Sequence, residues 1–305
     1  MASSHGTPSS IPRRMSAGIV RARRTLRARR GASVVLLTAV ALACHPSVSS
    51  ADERPLHWAL TGWNMSLIRR SDSGLAKHFF DTPAAFAIGN PRATQDQRPR
   101  GFASTPSLIY TSYSAFARDV KRGRIEGAMS AVVYDPERWA ATPRAEQRHP
   151  IRYVRRFARL AHLQRFFVMA APGRDLVQVR GGACTRRAGQ TNDEAYLACR
   201  IPARCARYVD GFVIQGQADE IRLRRFARLV RGASRQARAL EPHILVLAEL
   251  STGPPTGTPS PLQLTRAAKA TARMVSGYWL GIFASRDGHL STAIRFLKRL
   301  RRSGY

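Results

Sequence analysis

The sequence is poor in lysine, in acids, in cysteine and in long apolar runs, and it lacks the signatures of several large enzyme classes. All but four of its 50 basic residues are arginine, the lysines being Lys77, Lys121, Lys269 and Lys298. A GC-rich coding bias produces that skew without selection for binding. The formal charge of +31, set against only 19 acids, is therefore not by itself a nucleic-acid signature. Nucleic-acid readers cluster basic residues with exposed aromatics or carry a reader motif. Neither is found, and nucleic acid is not an expected partner. No GxxxxGK phosphate loop, GxGxxG, HExxH or GxSxG is present, which removes the chemistry those motifs carry. The four cysteines and eight histidines show no metal spacing, since no close Cys pair is joined to a His pair. The sequence calls for no metal and no cofactor. Beyond residue 43 no stretch approaches the length that crosses a bilayer.

What is present begins with a targeting pattern. Residues 1–30 are rich in Ser, Pro and Arg and contain no acid, and residues 32–43, ASVVLLTAVALA, form an apolar core too short to span a membrane comfortably. Ser49, Ser50 and Ala51 supply small residues for cleavage ahead of Asp52 and Glu53. The pattern predicts an export segment over 1–51 and a secreted mature domain over 52–305. The variants are twin-arginine export through Arg23-Arg24 and lipid anchoring at Cys44. Export permits a disulfide. Cys184 lies in a Gly-rich loop, so its bridge is expected to run to Cys199 or Cys205, with Cys199 preferred.

With 44% hydrophobic residues in 305, the chain can bury one barrel-sized core. Apolar runs without alternation, suited to buried parallel strands, fall at 56–63, 84–88, 107–111, 128–134, 166–170, 209–215, 243–250 and 275–283. Between them lie helical rhythms at 67–79, 113–122, 151–161, 194–208, 223–237, 262–273 and 292–302, with Gly123 placed as a left-handed cap and Pro202 placed to kink or split its segment. Arginines recur on the polar faces of these helices, as in 153–164 and 220–240. Strands alternating with helices over about 250 residues predict an α/β fold, a single (β/α)8 TIM-type barrel, with a doubly wound open sheet as the alternative.

In such folds ligands meet the carboxyl ends of the strands. Asp135, Glu137 and Trp139 follow the run at 128–134, Asp175 follows the run at 166–170, and Gln215 and Gln217 close the run at 209–215. Glu249 ends an otherwise apolar run, where an acid must reach a barrel mouth or find a buried partner. Carboxylates beside aromatic rings suit sugars, because glycosidic cleavage needs an acid together with a base or nucleophile. Asp135, Glu137 and Glu249 are therefore the candidate catalytic carboxyls, with Glu249 as the acid. Trp139, Asp175, Gln215, Gln217 and Trp279 are the candidate binding residues. Each has a plainer role as well: Asp135 as a turn residue, Glu137 as a helix-start carboxylate, Asp175 paired with Arg174, and the two tryptophans as packing.

The stretches VVYDPERWAATPRAEQRHPIRYVRRFARLAH, FFVMAAPGRDLV, DEAYLAC, FVIQGQADE and LAELSTG resemble a group of uncharacterised secreted actinobacterial proteins with a glycosidase-like barrel. The resemblance runs from about Trp58 onward and implies an exported TIM-type barrel. It brings no established substrate. The acidic motif of chitinase-like barrels is not matched, since Ala131, Val132 and Val133 stand where its acids would be. The expected function is a carbohydrate-active barrel, a glycoside hydrolase using strand-end carboxylates. The alternative is a non-catalytic barrel that binds a cell-envelope glycan or an anionic polymer.

Overall fold

The computed structural model describes residues 56–90, 96–217, 219–254, 257–283 and 288–305. The export pattern, with Arg23-Arg24, Cys44 and the cleavage point after Ala51, lies outside them. Eight parallel strands close into a barrel in sequence order: β1 (His57–Thr61), β2 (Ala85–Gly89), β3 (Thr105–Tyr110), β4 (Ala131–Tyr134), β5 (Phe167–Ala170), β6 (Gly211–Ile214), β7 (Leu245–Ser251) and β8 (Gly277–Gly281). The seam pairs Ala59 of β1 with Trp279 of β8, which makes the sheet a (β/α)8 barrel and not an open doubly wound one.

The strand pleat separates two cores. Ala59, Phe86, Val133, Met169, Val213 and Leu247 fill the barrel interior. Their sequence neighbours, such as Leu60, Val132, Val168, Phe212 and Val246, face the surrounding helices. Both faces are buried, so the strands need no polar alternation, and β4, AVVY, is buried throughout. Trp58 locks the seam from outside. Its ring lies 5.7 Å from Tyr278 of β8 and 6.4 Å from Phe296. Truncating so large a buried ring typically costs about 3–5 kcal/mol.

The helical layer follows the predicted rhythms, with several breaks. The first segment is two helices, α1 (Gly62–Ser71) and α2 (Ser73–Phe80), because the Asp72 carboxylate caps the second by accepting from the Leu75 N–H. α3 (Tyr113–Lys121) is followed by Gly123 at φ +60, the left-handed stop expected there. α4 (Arg144–Arg148) is short, and Pro150 opens α5 (Pro150–Leu163). Val154, Phe157 and Ala161 of α5 are buried, and the Phe157 ring stacks 4.8 Å from Tyr134 and 4.2 Å from Phe116. The segment expected to kink or split at Pro202 is split, just ahead of the proline, into α6 (Asn192–Ala198) and α7 (Ile201–Ala206). Arg200 turns left-handed at φ 53, and Pro202 sits in the first turn of α7, where its missing N–H costs no hydrogen bond. α8 (Leu223–Arg238), α9 (Pro261–Thr271) and α10 (His289–Arg301) complete the ring. Arg224, Arg228, Arg231 and Arg235 lie exposed along α8.

A disulfide joins Cys184 to Cys199, and Cys205 is a free, buried thiol whose pKa burial raises. No helix among the described residues is long and apolar enough to cross a membrane.

Candidate active site at the carboxyl mouth of the barrel

The inward parity that fills the barrel continues beyond its apolar layers. Two residues past Val133 stands Asp135, two past Val213 stands Gln215, and two past Leu247 stands Glu249. Three polar side chains are thus delivered to the carboxyl mouth by the rule that buries their apolar neighbours. The Asp135 N–H still donates to the Tyr110 carbonyl at 2.9 Å, so the ladder holds this acid in register.

Gln215 is the hub. Its Nε2 donates to Asp135 Oδ1 at 2.7 Å, to Glu137 Oε1 at 2.9 Å and to the Ala171 carbonyl at 2.9 Å. An amide nitrogen has two hydrogens, so three acceptors share two donors. The two carboxyls on one nitrogen are closer than the spacing of about 6.5–9.5 Å that seats a hydrolytic water between an acid and a base. Glu137 is positioned by its own N–H, which donates to Thr142 Oγ1 at 3.2 Å, and by close approach to Gly173. A Cβ on Gly173 would meet Asp175 Oδ1 at 2.6 Å and Glu137 Cγ at 3.0 Å, so any larger residue would push these acids aside.

The electrostatics are those of crowded, desolvated carboxyls. Asp135 has its pKa raised well above the usual value by burial and by the Glu137 charge, against the lowering effect of the Gln215 N–H. Glu137 is raised by burial and by Asp175, and Asp175 by burial. Glu249 is raised well above the ordinary range, first by burial and then by Asp135, Glu137 and Glu220, with Arg174 giving only a partial offset. Half-buried side chains at the mouth of a low-dielectric barrel thus share negative charge that they cannot all carry.

The remaining expected residues take distinct places. Asp175 does not pair with Arg174; it accepts from the Arg138 N–H at 3.1 and 3.2 Å. Arg174 instead binds Asp193 and Asp219, and donates to the Gln217 carbonyl at 3.0 Å. Arg225 joins the same two acids at 2.8 and 3.1 Å. Gln217 lies in a turn beyond β6, which ends at Ile214, so its side chain is not set by the strand pleat. Trp139 is 45% exposed, with its indole Nε1 donating to Thr142 Oγ1 at 3.0 Å. Trp279 is paired in register with Glu249 and packs against the interior cluster, so it walls the site from within.

Glu146, not singled out in the sequence, is a buried carboxylate with a scaffolding task. It accepts from Tyr134 Oη at 2.7 Å and from the N–H groups of Tyr113 and Ser114 at 2.7 and 3.1 Å, at the start of α3. Its only sequence signal is a place in the first turn after Pro143. Among the described residues no cluster of three or more His, Cys, Asp or Glu is arranged to hold a metal ion.

A cavity of about 510 Å³ adjoins the carboxyls, with Asp175, Gln215 and Gln217 in its wall. A larger one, about 620 Å³, opens at the opposite end among α5, α7 and the starts of β5, β6 and β7. No candidate site residue lines it.

No family model and no characterised protein matches the sequence. Among solved structures, the chain is similar over 62% of its length to a "putative alpha-L-fucosidase" from Bacteroides thetaiotaomicron, at 10% identity and a TM-score of 0.39. It spans 60% of that protein, less than two thirds of its length. It is also similar to the catalytic domain of a family GH18 chitinase from the fern Peteris ryukyuensis, over 79% of this chain and 78% of that one, at 13% identity and a TM-score of 0.41. Likenesses at this level do not bear on the reaction. The functional reading rests on the residues of the mouth.

Proposed function

We propose that this protein is an exported glycoside hydrolase working at the carboxyl mouth of its barrel, with Glu249 as general acid and Glu137 as its ionised partner. The observation that carries the reading is the convergence of Asp135 and Glu137 on the Gln215 amide with Glu249 in electrostatic contact. Cleaving a glycosidic bond takes a carboxylic acid that keeps its proton near neutral pH and a carboxylate that has lost it. Glu249 suits the first task, since burial and neighbouring acids hold its proton. Glu137 suits the second. The N–H bond from Gln215 favours its charged form against the raising effect of burial and of Asp175, and its own N–H is anchored on Thr142. Asp135 orients Gln215 from below and acts as a positioning residue.

Export is supported by the arginine-rich, apolar and small-residue succession over 1–51 and by the Cys184–Cys199 bridge. Amino-terminal sequencing of protein recovered from the medium should find a start near Asp52. An intact Met1 in a protein confined to the cytoplasm would end this part of the reading.

The deciding experiment is a polysaccharide and oligosaccharide hydrolysis screen of wild type beside Asp135→Asn, Glu137→Gln and Glu249→Gln. Turnover that survives all three substitutions refutes the site. Binding by wild type without any turnover favours the second reading, a non-catalytic barrel holding a cell-envelope glycan or anionic polymer, which the exposed Arg186 and Arg222 in the wall of the adjoining cavity support.

A further inference from the structure

The cavity beside the carboxyls has a wall made of polar side chains alone. No aromatic or aliphatic residue lines it. A subsite for a neutral sugar ring generally offers an apolar or aromatic face to the ring's C–H surface. This one has no ring or aliphatic side chain; its apolar surface comes from the stems of polar residues that end in guanidinium, carboxyl and amide groups. The charges in it divide into two sets. Arg174 and Arg225 are engaged by Asp193 and Asp219 and are balanced by them. Arg186 and Arg222 are exposed, line the same cavity and form no ion pair among the described residues. The other acid of the wall, Asp175, already accepts from the Arg138 backbone.

Two further features make this end of the cavity cationic and fixed. Arg222 is the residue at the amino terminus of α8, a 16-residue helix with no side-chain cap and no acid of its own in the first turn, and the nearby Asp193 and Asp219 are taken up by Arg174 and Arg225. Arg186 lies two residues from Cys184, whose bridge to Cys199 ties its loop to the end of α6. Gln178 and Asn192, hydrogen-bonded to each other at 3.0 Å, add amide groups suited to hydroxyls.

We infer that this cavity is a subsite for an acidic sugar unit, one bearing a carboxylate or a sulfate ester, in the glycan that the neighbouring carboxyls cleave. The inference rests on the hydrolase reading for the cleavage and on Arg186 and Arg222 for the recognition. Arginine is matched to this task, because its planar fork binds a carboxylate or sulfate through two parallel N–H bonds. The arrangement selects against glycans whose corresponding unit is neutral.

The test is calorimetric titration of the Glu249→Gln protein, to prevent turnover, with an oligogalacturonide, its carboxyl-reduced neutral counterpart and a sulfated galactan oligosaccharide. We expect an acidic oligosaccharide to bind and its neutral counterpart to bind at least about tenfold more weakly, a difference of about 1.4 kcal/mol. Adding Arg186→Gln and Arg222→Gln together should remove that preference. The relative affinities of uronide and sulfated ligand identify which anion is preferred. Because the whole chain is basic, Arg231→Gln with Arg235→Gln on the outer face of α8 provides a charge-matched control that should leave the preference intact. Equal binding of acidic and neutral ligands, or an equal loss in the control pair, overturns the inference. Cleavage of neutral glycans without acidic preference leaves the hydrolase reading and removes the subsite. Arginine-dependent binding of acidic ligands with no cleavage of any of them by wild type does the reverse.

Discussion

Two groups of acids share the mouth of this barrel and are treated in opposite ways. Asp193 and Asp219 are bound by Arg174 and Arg225, two charges against two. Asp135 and Glu137 share one amide, Glu249 has only a partial offset from Arg174, and all three carboxyls are raised. The sequence contains 46 arginines, so this shortage of counter-charge is local and not compositional. A compensated acid is tied to its arginines and holds structure together. An uncompensated one can take up and release a proton, which is what acid–base chemistry requires. Glu146 marks the structural extreme, fully supplied with donors at the start of α3.

The contrast is broken most forcefully from the catalytic side. Glu249→Gln and Glu137→Gln should each lower turnover by about 10²–10⁴, the usual contribution of a positioned acid or base, while circular dichroism and melting show an intact fold. Loss of fold together with activity would return both acids to the structural group.

Next in size is Arg174→Ala, which leaves Asp193 and Asp219 buried with only the half-exposed Arg225. Removing one partner of a buried ion-pair network costs about 3–5 kcal/mol, and Arg174→Lys should recover only part of it because lysine cannot reproduce the forked geometry. Denaturant unfolding measures both, and an Arg174→Ala protein as stable as wild type would show that the compensated cluster holds nothing together. The loop that brings Arg186 to the same mouth is closed by a disulfide spanning 15 residues. Replacing both cysteines by serine should cost about 3 kcal/mol in the chain-entropy account. Urea unfolding with and without reductant gives the value, and identical midpoints would argue against a bridge in the native protein.

The smallest effect sharpens the comparison through pH. Glu249 binds its proton more tightly when folded than when unfolded. Its contribution to stability is therefore complete below the unfolded value, about 4.3, and is lost as pH rises through the raised folded value. Glu249→Gln removes that loss. The variant should melt a few degrees above wild type at pH 7, about 2–4 °C for each kcal/mol in a domain of this size, with the gap closing below about pH 4. A gap that widens as pH falls would mean that Glu249 is ionised in the folded protein, on the compensated side of the divide.

Much of this was legible from residue order, and the misses share a cause. The eight strands were found because a parallel barrel buries both faces of each strand, leaving apolar runs that end abruptly. The weakest of them, around Ala85–Gly89, is a full member of the sheet. Cys199 was preferred to Cys205 as the partner of Cys184, and that is the pair formed. The pairing expected for Arg174 and Asp175 failed because adjacent residues on a tight turn point apart. Arg174 reaches 19 residues along the chain to Asp193 and 45 to Asp219. Glu146 gave almost no signal, since its donors come from β4 and from the start of α3, more than thirty positions away for Tyr113 and Ser114.

The sequence by itself determined that eight strands alternate with helices over most of the chain, and that acids and amides stand two residues beyond the last apolar layer of β4, β6 and β7. Periodicity and hydrophobicity are local properties, and local properties are what a linear text records. Tertiary structure alone decided which of those acids keep a counter-charge. Desolvation and Coulomb energy depend on distances between residues as far apart in sequence as Asp135 and Gln215, 80 positions, and barrel closure sets those distances.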